Sequence, residues 1–482
     1  MSSLAYLALL AALTMLRLAV AATTPVVPDE AYYWVWSHAL APGYLDHPPM
    51  VALWIRAGTA LAGEGPLGVR LLGSLAAALG TLLLADAAER LLPARRAGLT
   101  AAALWNATLL CGAGAVIMTP DTPLLFFWTA ALWALARLVT GGRAAWWLAV
   151  GVFAGLALAS KYTAALLWLG IGLWLLWVPS LRHWWRSPAL WAGVGLGLLA
   201  FLPVVLWNAA HHWASFLRQG GRVGDWQPWR AAQFLAELIG GQLGLATPLL
   251  FLVFCAGVAR AARRAWRMRD PAWSLLAALT LPGAAAFLQH ALGDRVQGNW
   301  PAILYPAATI AACGLAAPRW RRLFLPGIAL GLAITALVYV DAAAAMLPPG
   351  IDPLARQLAG WQALARSVEA GREAAGATFV AAESYGVAGE LARDMPPGVD
   401  VVGVEPRWAL TRLPQAALAG TTGILVLHEG NGAPGGWAQA SLIGPAARVR
   451  GGVVIEPFQL WRVVGPAGAS YAAMLPRPDG AK

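Results

Sequence analysis

Long runs of apolar residues, separated by short polar segments, fill most of the first 341 positions of the sequence. A transmembrane helix needs about 20 mainly apolar residues, within a range of roughly 17–25. Runs of this kind predict eleven membrane spans, some short or adjoining, near residues 4–23, 67–86, 99–118, 124–140, 144–159, 163–179, 189–208, 240–259, 273–290, 301–317 and 323–341. We interpret the first run as a retained span, because no clear small-residue cleavage site precedes Asp29.

The pattern changes beyond the last of these runs. Helical and strand-like patterns alternate there, with helices at 352–374 and 385–395 and strands at 378–383, 400–404 and 423–429. Alternation of this kind is typical of an α/β domain. The sequence therefore predicts an α-helical polytopic membrane domain over 1–341, with a first outer loop at 24–66, and a small soluble α/β domain over 342–482.

The charged residues predict how the spans are oriented. Hydrophobic residues make up 59% of the chain and charged residues only 12%, about half the usual share of a soluble domain. With the N-terminus inside, the predicted inner loops carry 15 lysines and arginines and the outer loops seven. This excess follows the positive-inside rule. We therefore interpret the net charge of +11 as membrane topology rather than nucleic-acid binding, with the C-terminal domain outside.

Two acidic motifs stand in the first outer loop. Asp29-Glu30 opens an aromatic segment that suits a helix at the membrane surface. The alternative is that the two carboxylates only cap this helix and favour its dipole. Asp46-His47 is harder to explain by capping, because two prolines follow and fix the backbone after an acid and an imidazole. The second motif therefore holds two proton-active groups at the edge of the bilayer.

Two further outer positions carry charge between closely spaced spans. Asp121 stands in the turn TPDTP, where a helix cap is the alternative to a catalytic role. Lys161, beside Tyr162, is one of only two lysines in the chain, the other being Lys482. A compact ammonium at the membrane edge suits contact with a phosphate. The alternative is a lysine that only reaches to the interface, but its position is on the side that disfavours cations, so we favour the phosphate contact.

Imidazole, guanidinium and indole groups gather in the fourth and fifth outer loops. Cations hold phosphates, and amphipathic aromatic rings pack against partly polar ligands. The residues of these loops that we interpret as contacts for a lipid phosphate and its sugar are His212, Arg218, Arg222, Arg295, Asn299 and Trp300, and they join Asp46, His47, Lys161 and Tyr162 of the earlier loops in this set. Asp46, His211 and His212 are weak candidates for a metal site, because the acids are too scattered for a recognisable ligand spacing. No cofactor is predicted, and a divalent metal stays open.

Five segments carry a resemblance to a known family. They are PDEAYYWVWSHALAPGYLDHPPM, MTPDTPLLFFW, LALASKYTA, LPVVLWNAAHHWASF and GNWPA, in this order. Together they resemble bacterial members of the protein-mannosyltransferase-like family, which belongs to the GT-C membrane glycosyltransferases and includes relatives of lipid A aminoarabinose and rhizobial galacturonosyl transferases. The resemblance covers roughly residues 1–341, and the C-terminal domain is similar mainly at AESYGVAGELARDM.

The resemblance implies a fold, a reaction and a location. The fold is of GT-C type, the donor is a polyprenyl-phosphate-linked sugar, and the reaction is inverting transfer to a lipid, glycan or protein acceptor. The location is the inner membrane of a bacterium, with the active site on the periplasmic face. Asp29, with Glu30 beside it, matches the catalytic acid of the family's first loop, and Asp121 matches a second acid.

One motif departs from the family. Asp46-His47 stands where aminoarabinose transferases have Glu-Lys before two prolines. The lysine of that motif helps to hold the donor phosphate, so His47 replaces a phosphate contact. Lys161 and Arg222 are expected to supply the missing charge.

Two other functions remain as alternatives. A transporter or flippase for sugar-lipids places ionisable residues and broken helices near the midplane, often in repeated halves. Here the charges cluster at one edge, and the sequence shows no duplicated interrupted helices. An O-antigen ligase or polymerase shares the chemistry but usually carries one large loop between late spans. The identity of the sugar does not follow from the sequence.

Overall fold

The structure, a computed structural model, describes residues 3–92, 96–221, 226–465 and 472–478. Its α-helices are α1 (Ser3–Thr23), α2 (Pro28–His38), α3 (Met50–Ala62), α4 (Pro66–Leu91), α5 (Ala97–Asn106), α6 (Leu109–Gly114), α7 (Asp121–Gly141), α8 (Trp146–Leu158), α9 (Ala165–Trp177), α10 (Pro188–Ala210), α11 (Ala214–Gly221), α12 (Ala231–Ala246), α13 (Pro248–Met268), α14 (Pro271–Ala278), α15 (Leu281–His290), α16 (Tyr305–Cys313), α17 (Pro318–Arg321), α18 (Phe324–Ala344), α19 (Ala355–Leu358), α20 (Trp361–Ala374) and α21 (Tyr385–Asp394). Short 3-10 helices lie at Tyr162–Ala164, Pro179–Arg186, Pro228–Arg230, Trp300–Leu304 and Pro406–Leu410. The strands are β1 (Phe379–Ala382), β2 (Asp400–Gly403), β3 (Thr422–His428), β4 (Gln439–Arg450), β5 (Val453–Val464) and β6 (Ala473–Met474).

The chain is mainly helical, as predicted, but the predicted number of spans is not confirmed. Among the described residues, six helices are long and apolar enough to cross a membrane, and two bent helix pairs raise this number to eight at most. Three further apolar helices are shorter, at Met50–Ala62, Trp146–Leu158 and Trp300–Cys313. A helix satisfies its own backbone hydrogen bonds, which is why apolar segments take this form in lipid.

The span predicted at 240–259 is not a single helix. The chain bends by 105° between the helical segments Pro228–Ala246 and Pro248–Met268. Proline disfavours helical backbone at the residue before it, and Thr247 accordingly has φ 66° and ψ 149°. The predicted span at 99–118 is likewise broken into α5 and α6, because the Thr108 hydroxyl accepts a hydrogen bond from the Cys111 N–H and starts a new helix.

Two compact units divide the chain. The first contains Met1–Leu18, Leu45–Val51 and Leu72–Leu337, and the second contains Ala19–Tyr44, Ala52–Leu71 and Val338–Lys482. The second unit therefore joins most of the first outer loop to the C-terminal segment. The domain boundary expected at residue 341 stays a prediction.

Helices α8 and α10 of the first unit approach each other through glycines. A Cβ built on Gly155 of α8 would lie 2.4 Å from the carbonyl oxygen of Gly197 on α10. A Cβ built on Gly193 would lie 2.2 Å from the carbonyl oxygen of Trp147. Small residues four positions apart let helices in a membrane pack backbone against backbone. Lys161 follows the end of α8 by three residues, so this contact helps to fix the position of the lysine.

A six-stranded sheet lies in the second unit, with strand order β4-β5-β3-β1-β2-β6. Strand β1 pairs in parallel with β2 and β3, as expected for strands alternating with helices. The predicted strands at 378–383, 400–404 and 423–429 are confirmed as β1, β2 and β3, and the predicted helix at 385–395 is confirmed as α21. The single helix predicted at 352–374 is instead α19 and α20, separated by Gly360 in the left-handed region at φ 82°.

The hairpin of β4 and β5 was not predicted. Prolines at 445 and 457 argue against strands, because proline cannot donate to the ladder. Pro445 is tolerated since β4 is the edge strand, and Pro457 lies one residue beyond the part of β5 that pairs with β3. Gly451 and Gly452 form the turn with φ 56° and 79°, and two residues at positive φ are typical of hairpin turns.

Helix α2, from the first outer loop, packs against α21 within the second unit. A glycine permits the close contact, because a Cβ built on Gly389 would lie 2.9 Å from the carbonyl carbon of Ala31. The Trp34 indole donates to the Glu64 carboxylate at 2.6 Å. The Arg393 guanidinium lies 4.8 Å from the Trp34 ring centroid and donates to the Glu64 carbonyl oxygen at 2.9 Å. The C-terminal segment thus holds the first-loop helix in place.

Glu390 is a buried carboxyl on α21. It is 3% exposed, and its Oε1 accepts no hydrogen bond from the residues that the structure describes. Burial, followed by the negative charge of Asp394, raises the pKa of Glu390 well above its ordinary value, while Arg393 opposes this change. The group therefore keeps its proton in the folded state at pH values where the unfolded chain has released it.

We expect Gly193→Leu to destabilise the protein and Gly195→Leu to be tolerated. Overpacking a close contact costs about 1–3 kcal/mol, whereas a Cβ on Gly195, two residues along the same helix, meets no atom within 4 Å. Thermal unfolding of the detergent-purified variants, followed by tryptophan fluorescence, measures the difference. Equal unfolding temperatures for the two variants would contradict the glycine contact between α8 and α10.

We expect Glu390→Gln to stabilise the protein at neutral pH and to change little in acid. The stability that a raised pKa provides is present below the unfolded pKa of about 4.3 and is lost as the pH rises through the folded pKa. The amide of the Glu390→Gln variant does not ionise, so this variant does not lose stability as the pH rises. The unfolding temperatures of variant and wild type should therefore converge as the pH falls towards about 4. Glu373→Gln, on the exposed surface of α20, is the control. A constant difference between pH 4 and pH 8 would contradict the raised pKa of Glu390.

Candidate functional site

Three polar side chains from distant segments meet in the first unit. The Lys161 ammonium lies 2.8 Å from each carboxylate oxygen of Asp121, and the Asn299 amide donates to Asp121 Oδ2 at 2.6 Å. Asp121 and Lys161 are each 7% exposed. Buried charges remain ionised only when they are paired and hydrogen-bonded. The structure thus brings together three residues that the sequence indicated separately.

Each member of this cluster stands where a helix begins or ends. Asp121 is the first residue of α7, where unpaired N–H groups favour a negative charge. Lys161 has extended backbone, φ −159° and ψ 140°, in the break between α8 and the 3-10 turn Tyr162–Ala164. Asn299 directly precedes the 3-10 turn Trp300–Leu304. The breaks in the helices therefore place all three side chains at one end of their spans.

An apolar cavity of about 400 Å³ has Pro301, two residues after Asn299, in its wall. Residues of α12, α13, α15 and α16 line it, together with Pro301 in the turn that Asn299 opens. In its wall, Gln242 donates to the Gly298 carbonyl oxygen and accepts from the Tyr305 hydroxyl, each at 2.9 Å. The volume falls within the range of about 300–1,000 Å³ for small-molecule sites. The first unit thus combines a charged cluster with an adjoining apolar space.

A second polar contact ties the fourth outer loop to the Asp46 motif. The Asp46 carboxylate lies 3.7 Å from Arg218 Nε, and the Gln219 amide donates to the Asp46 carbonyl oxygen at 2.7 Å. The Tyr162 hydroxyl shares a hydrogen bond of 2.7 Å with Ser215. Arg218, Gln219 and Ser215 all belong to α11, so this helix contacts two of the predicted segments.

The remaining predicted residues have other partners or surroundings. His47 is half-buried, His212 is exposed, the His211 ring stacks on Trp207 at 4.2 Å, Arg295 pairs with Glu237 at 2.8 Å, and the Trp300 indole donates to Gln297 at 3.2 Å. Arg222 lies outside the described residues. In the part of the chain that the structure describes, no group of three or more His, Cys, Asp or Glu side chains is arranged to hold a metal ion.

Asp29 lies at the start of α2 in the second unit and is exposed. The Tyr385 hydroxyl donates to Asp29 Oδ1 at 3.0 Å. The Tyr385 ring lies 4.5 Å from the Tyr32 ring and 4.2 Å from the Arg407 guanidinium. A hydrogen bond donated to a carboxylate favours its charged form. The start of α21 therefore orients the Asp29 carboxylate.

Glu30, next to Asp29, is fully buried. The Arg70 guanidinium donates to both carboxylate oxygens of Glu30, with Nε 2.8 Å from Oε1 and Nη2 2.6 Å from Oε2. Arg70 also donates to the carbonyl oxygens of Thr24 and Pro25, at 2.9 and 2.6 Å. Two parallel bonds of this kind fix orientation as well as adding energy. The pair thus holds the turn before α2, and these contacts suit a positioning role for Glu30.

Sequence reasoning did not single out Tyr385 and Arg70 as site residues. Arg70 counted only as one cation among those of the outer loops, and its partner stands 40 residues earlier. The signal for Tyr385 was its place in AESYGVAGELARDM, the one part of the C-terminal segment that resembles the family.

Comparisons with known proteins find similarity to the same kind of protein as the sequence motifs do. The family model described as dolichyl-phosphate-mannose-protein mannosyltransferase matches residues 46–207. The lipid A galacturonosyltransferase RgtD of Rhizobium johnstonii is 28% identical over 378 residues, which are 75% of this chain and 76% of that protein.

Solved structures show the same fold. The crystal structure of ArnT from Cupriavidus metallidurans bound to undecaprenyl phosphate has a TM-score of 0.63 at 14% identity, covering 95% of this chain and 98% of that one. The apo structure of the same protein has a TM-score of 0.62 at 15% identity, covering 96% and 98%.

Proposed function

We propose that this chain is a GT-C, protein-mannosyltransferase-like membrane glycosyltransferase, which transfers one sugar from a polyprenyl-phosphate carrier to lipid A or a similar lipid. The similarity to a lipid A galacturonosyltransferase supports the acceptor, and the fold shared with a protein that binds undecaprenyl phosphate supports the carrier. We also propose the periplasmic face for the reaction, on the basis of the arginine-rich inner loops.

The cluster of Asp121, Lys161 and Asn299 beside an apolar cavity carries this proposal. A polyprenyl phosphate has an anionic head and a long apolar chain, so its site needs a cation next to an apolar space. An ammonium has three N–H donors, and Asp121 accepts two of them from Lys161. The third is proposed to bind a phosphate oxygen, while the apolar chain enters the cavity.

Lys161 is proposed to stabilise the departing phosphate. Negative charge grows on the lipid phosphate as the bond to the sugar breaks, and a cation that is already in position stabilises it without further reorganisation. Asp121 orients the ammonium, and Asn299 orients Asp121. This assigns Asp121 a positioning role in place of the catalytic role expected from the resemblance.

Asp29 is proposed to accept the proton of the acceptor hydroxyl. A carboxylate in this role typically contributes about 10²–10⁴-fold to the rate. The hydrogen bond from Tyr385 supports the role, because it favours the charged carboxylate that a base requires. Glu30 and Arg70 are proposed to position Asp29 by holding the turn before α2.

The proposed phosphate contact is tested by removing both charges of the buried pair. Asp121→Asn/Lys161→Met leaves neutral side chains of similar size, so no buried charge is left unpaired. We expect polyprenyl phosphate to bind about 10–100-fold more weakly, since a hydrogen bond to a charged group contributes about 1.5–3 kcal/mol. Binding of fluorescent polyprenyl phosphate to the detergent-purified protein measures the change.

Two variants control for this experiment. Lys161→Arg keeps the positive charge and should retain much of the affinity. Arg230→Gln removes another outer-loop cation, which the structure shows exposed and bonded to Gln233, and should bind like the wild type. Unchanged binding in a folded Asp121→Asn/Lys161→Met variant would remove Lys161 from the phosphate site.

We expect Asp29→Asn to abolish transfer without affecting folding, since the amide has nearly the same shape and its oxygen still accepts from Tyr385. The rate should fall by about 10²–10⁴-fold. The measurement is mass spectrometry of lipid A from a deletion strain that carries the wild-type or the variant gene, with turnover of radiolabelled donor in membranes. A lipid A species that appears with the wild type and is restored by Asp29→Asn would exclude Asp29 as the base.

Tyr385→Phe extends this test, because it keeps the ring against Tyr32 and removes only the hydroxyl. We expect a lower kcat with little change in KM. Because the ring contacts remain, the unfolding temperature should stay close to that of the wild type. An unchanged kcat, or a fall in kcat that only follows a loss of folded protein, would contradict the orienting role of Tyr385.

A further inference from the structure

The turn of the β4–β5 hairpin is bound to the residues that follow helix α18. Arg450, the last residue of β4, donates to the Leu347 carbonyl oxygen at 2.8 Å and also to the Ala345 carbonyl oxygen. Its guanidinium pairs with the carboxylate of Asp352, which is buried. Because α18 ends at Ala344, these bonds join the hairpin directly to the end of that helix. All five residues belong to the second unit.

A second arginine, Arg448, holds the hairpin against the same segment. It is buried, donates to the Ala359 carbonyl oxygen at 2.7 and 2.9 Å, and pairs with Glu456 of β5 at 2.7 Å. The two backbones also touch, since a Cβ built on Gly360 would lie 2.7 Å from the Val449 nitrogen. The hairpin therefore has a fixed place beside the segment that leaves α18.

Exposed apolar side chains lie around this attachment. Val453 stands opposite Arg450 in the strand pairing, and Val454 follows it. Met346 lies between the two residues whose carbonyl groups Arg450 binds, and Ile351 follows in the same segment. These four apolar residues, which we call the apolar patch, are 44–71% exposed. Exposed apolar surface of this kind marks contact with another protein or with a membrane.

The helix beside the apolar patch favours the membrane as its partner. The segment Pro318–Ala344 is long and apolar enough to cross a bilayer, and only 22% of its most apolar stretch is buried in the protein. Its other surfaces therefore face acyl chains. Met346 follows the last residue of this span by two positions, so the apolar patch lies at the level of the bilayer surface. A soluble partner would have to displace lipid to cover it.

The hairpin turn lies at the edge of the sheet that also carries the partner of Asp29. Strand β5 is antiparallel to β3, and its Phe458 pairs with His428, the last residue of β3. The turn precedes Phe458, so it projects beyond the C-terminal end of β3. Strand β1 is parallel to β3 and ends at this edge, three residues before Tyr385. The turn and the start of α21 therefore share one edge of the sheet.

We propose that the apolar patch docks on the lipid bilayer at the side where α18 ends. Val453 and Val454 enter the boundary between head groups and acyl chains, with Met346 and Ile351 beside them, so that their apolar surfaces leave water. The hairpin turn then adds a second point of attachment to the one that α18 provides. The two attachments together set how far the sheet edge with Tyr385 lies from the membrane.

The experiment places a photoreactive benzophenone amino acid at single positions of the full chain, in nanodiscs of phosphatidylethanolamine and phosphatidylglycerol. In place of Val454, the probe should attach to phospholipid on illumination, and mass spectrometry should find the added lipid mass on the protein. In place of Met346, it reports on the same patch independently and should also capture phospholipid. The readout is lipid attachment rather than sugar transfer, so failure here leaves the proposed function unaffected, and the reverse also holds.

Leu442 is the matched control position, because it is an exposed apolar residue of the same hairpin. It lies nine residues before Gly451, about 30 Å away along a strand that rises about 3.4 Å per residue. With the probe in place of Leu442, we expect the lipid attachment to be lost. The unfolding temperature of each labelled protein shows that the probe has not changed the fold.

Equal lipid attachment at positions 454 and 442 would overturn the proposal, because the probe would then report only that a bilayer is nearby. A species of twice the mass, in which position 454 is joined to a second copy of the chain, would overturn it too. A lack of lipid at both 454 and 346, in proteins that unfold at the wild-type temperature, would have the same consequence.

Discussion

A charge that is buried away from water needs a partner, and this constraint shapes the polar centre of each unit. Lys161 and Asp121 satisfy it in the first unit, and Arg70 and Glu30 satisfy it in the second. Removal of one member of such a pair typically costs about 3–5 kcal/mol. Each pair therefore fixes its neighbours before any substrate arrives. Burying a charged pair costs free energy, but it also fixes the two side chains. Side chains that are fixed in this way can stabilise charge in a reaction without reorganising.

Much of the fold could be predicted because the bilayer imposes a simple pattern. Apolar runs marked the helices, and alternating segments marked β1, α21, β2 and β3. The cluster of Asp121, Lys161 and Asn299 could be anticipated in part, because polar residues at the ends of apolar runs are forced into short turns on one side. Lys161, one of two lysines in a chain that otherwise uses arginine, was the most specific signal.

The rest depended on contacts that a linear pattern does not record. Thr247 reads as one more residue of an apolar run, but Pro248 after it breaks the helix. The β4–β5 hairpin was not predicted, and its Pro445 and Pro457 are compatible with strands only because of how each strand edge is paired. The sequence also does not indicate that Asp29 and Glu30 have different surroundings. One is exposed and the other is fully buried under Arg70, so neighbouring carboxyl groups receive different proposed roles.

The hydrogen bond between Tyr385 and Asp29 joins residues that are 356 positions apart. During synthesis, α2 leaves the ribosome long before the segment that begins α21. A nascent chain would therefore display its acidic loop, while the intervening residues are made, without the hydroxyl that orients the Asp29 carboxylate. The proposed base would gain its orienting partner only after that segment has been synthesised, which would keep unfinished chains from acting on lipid-linked sugars.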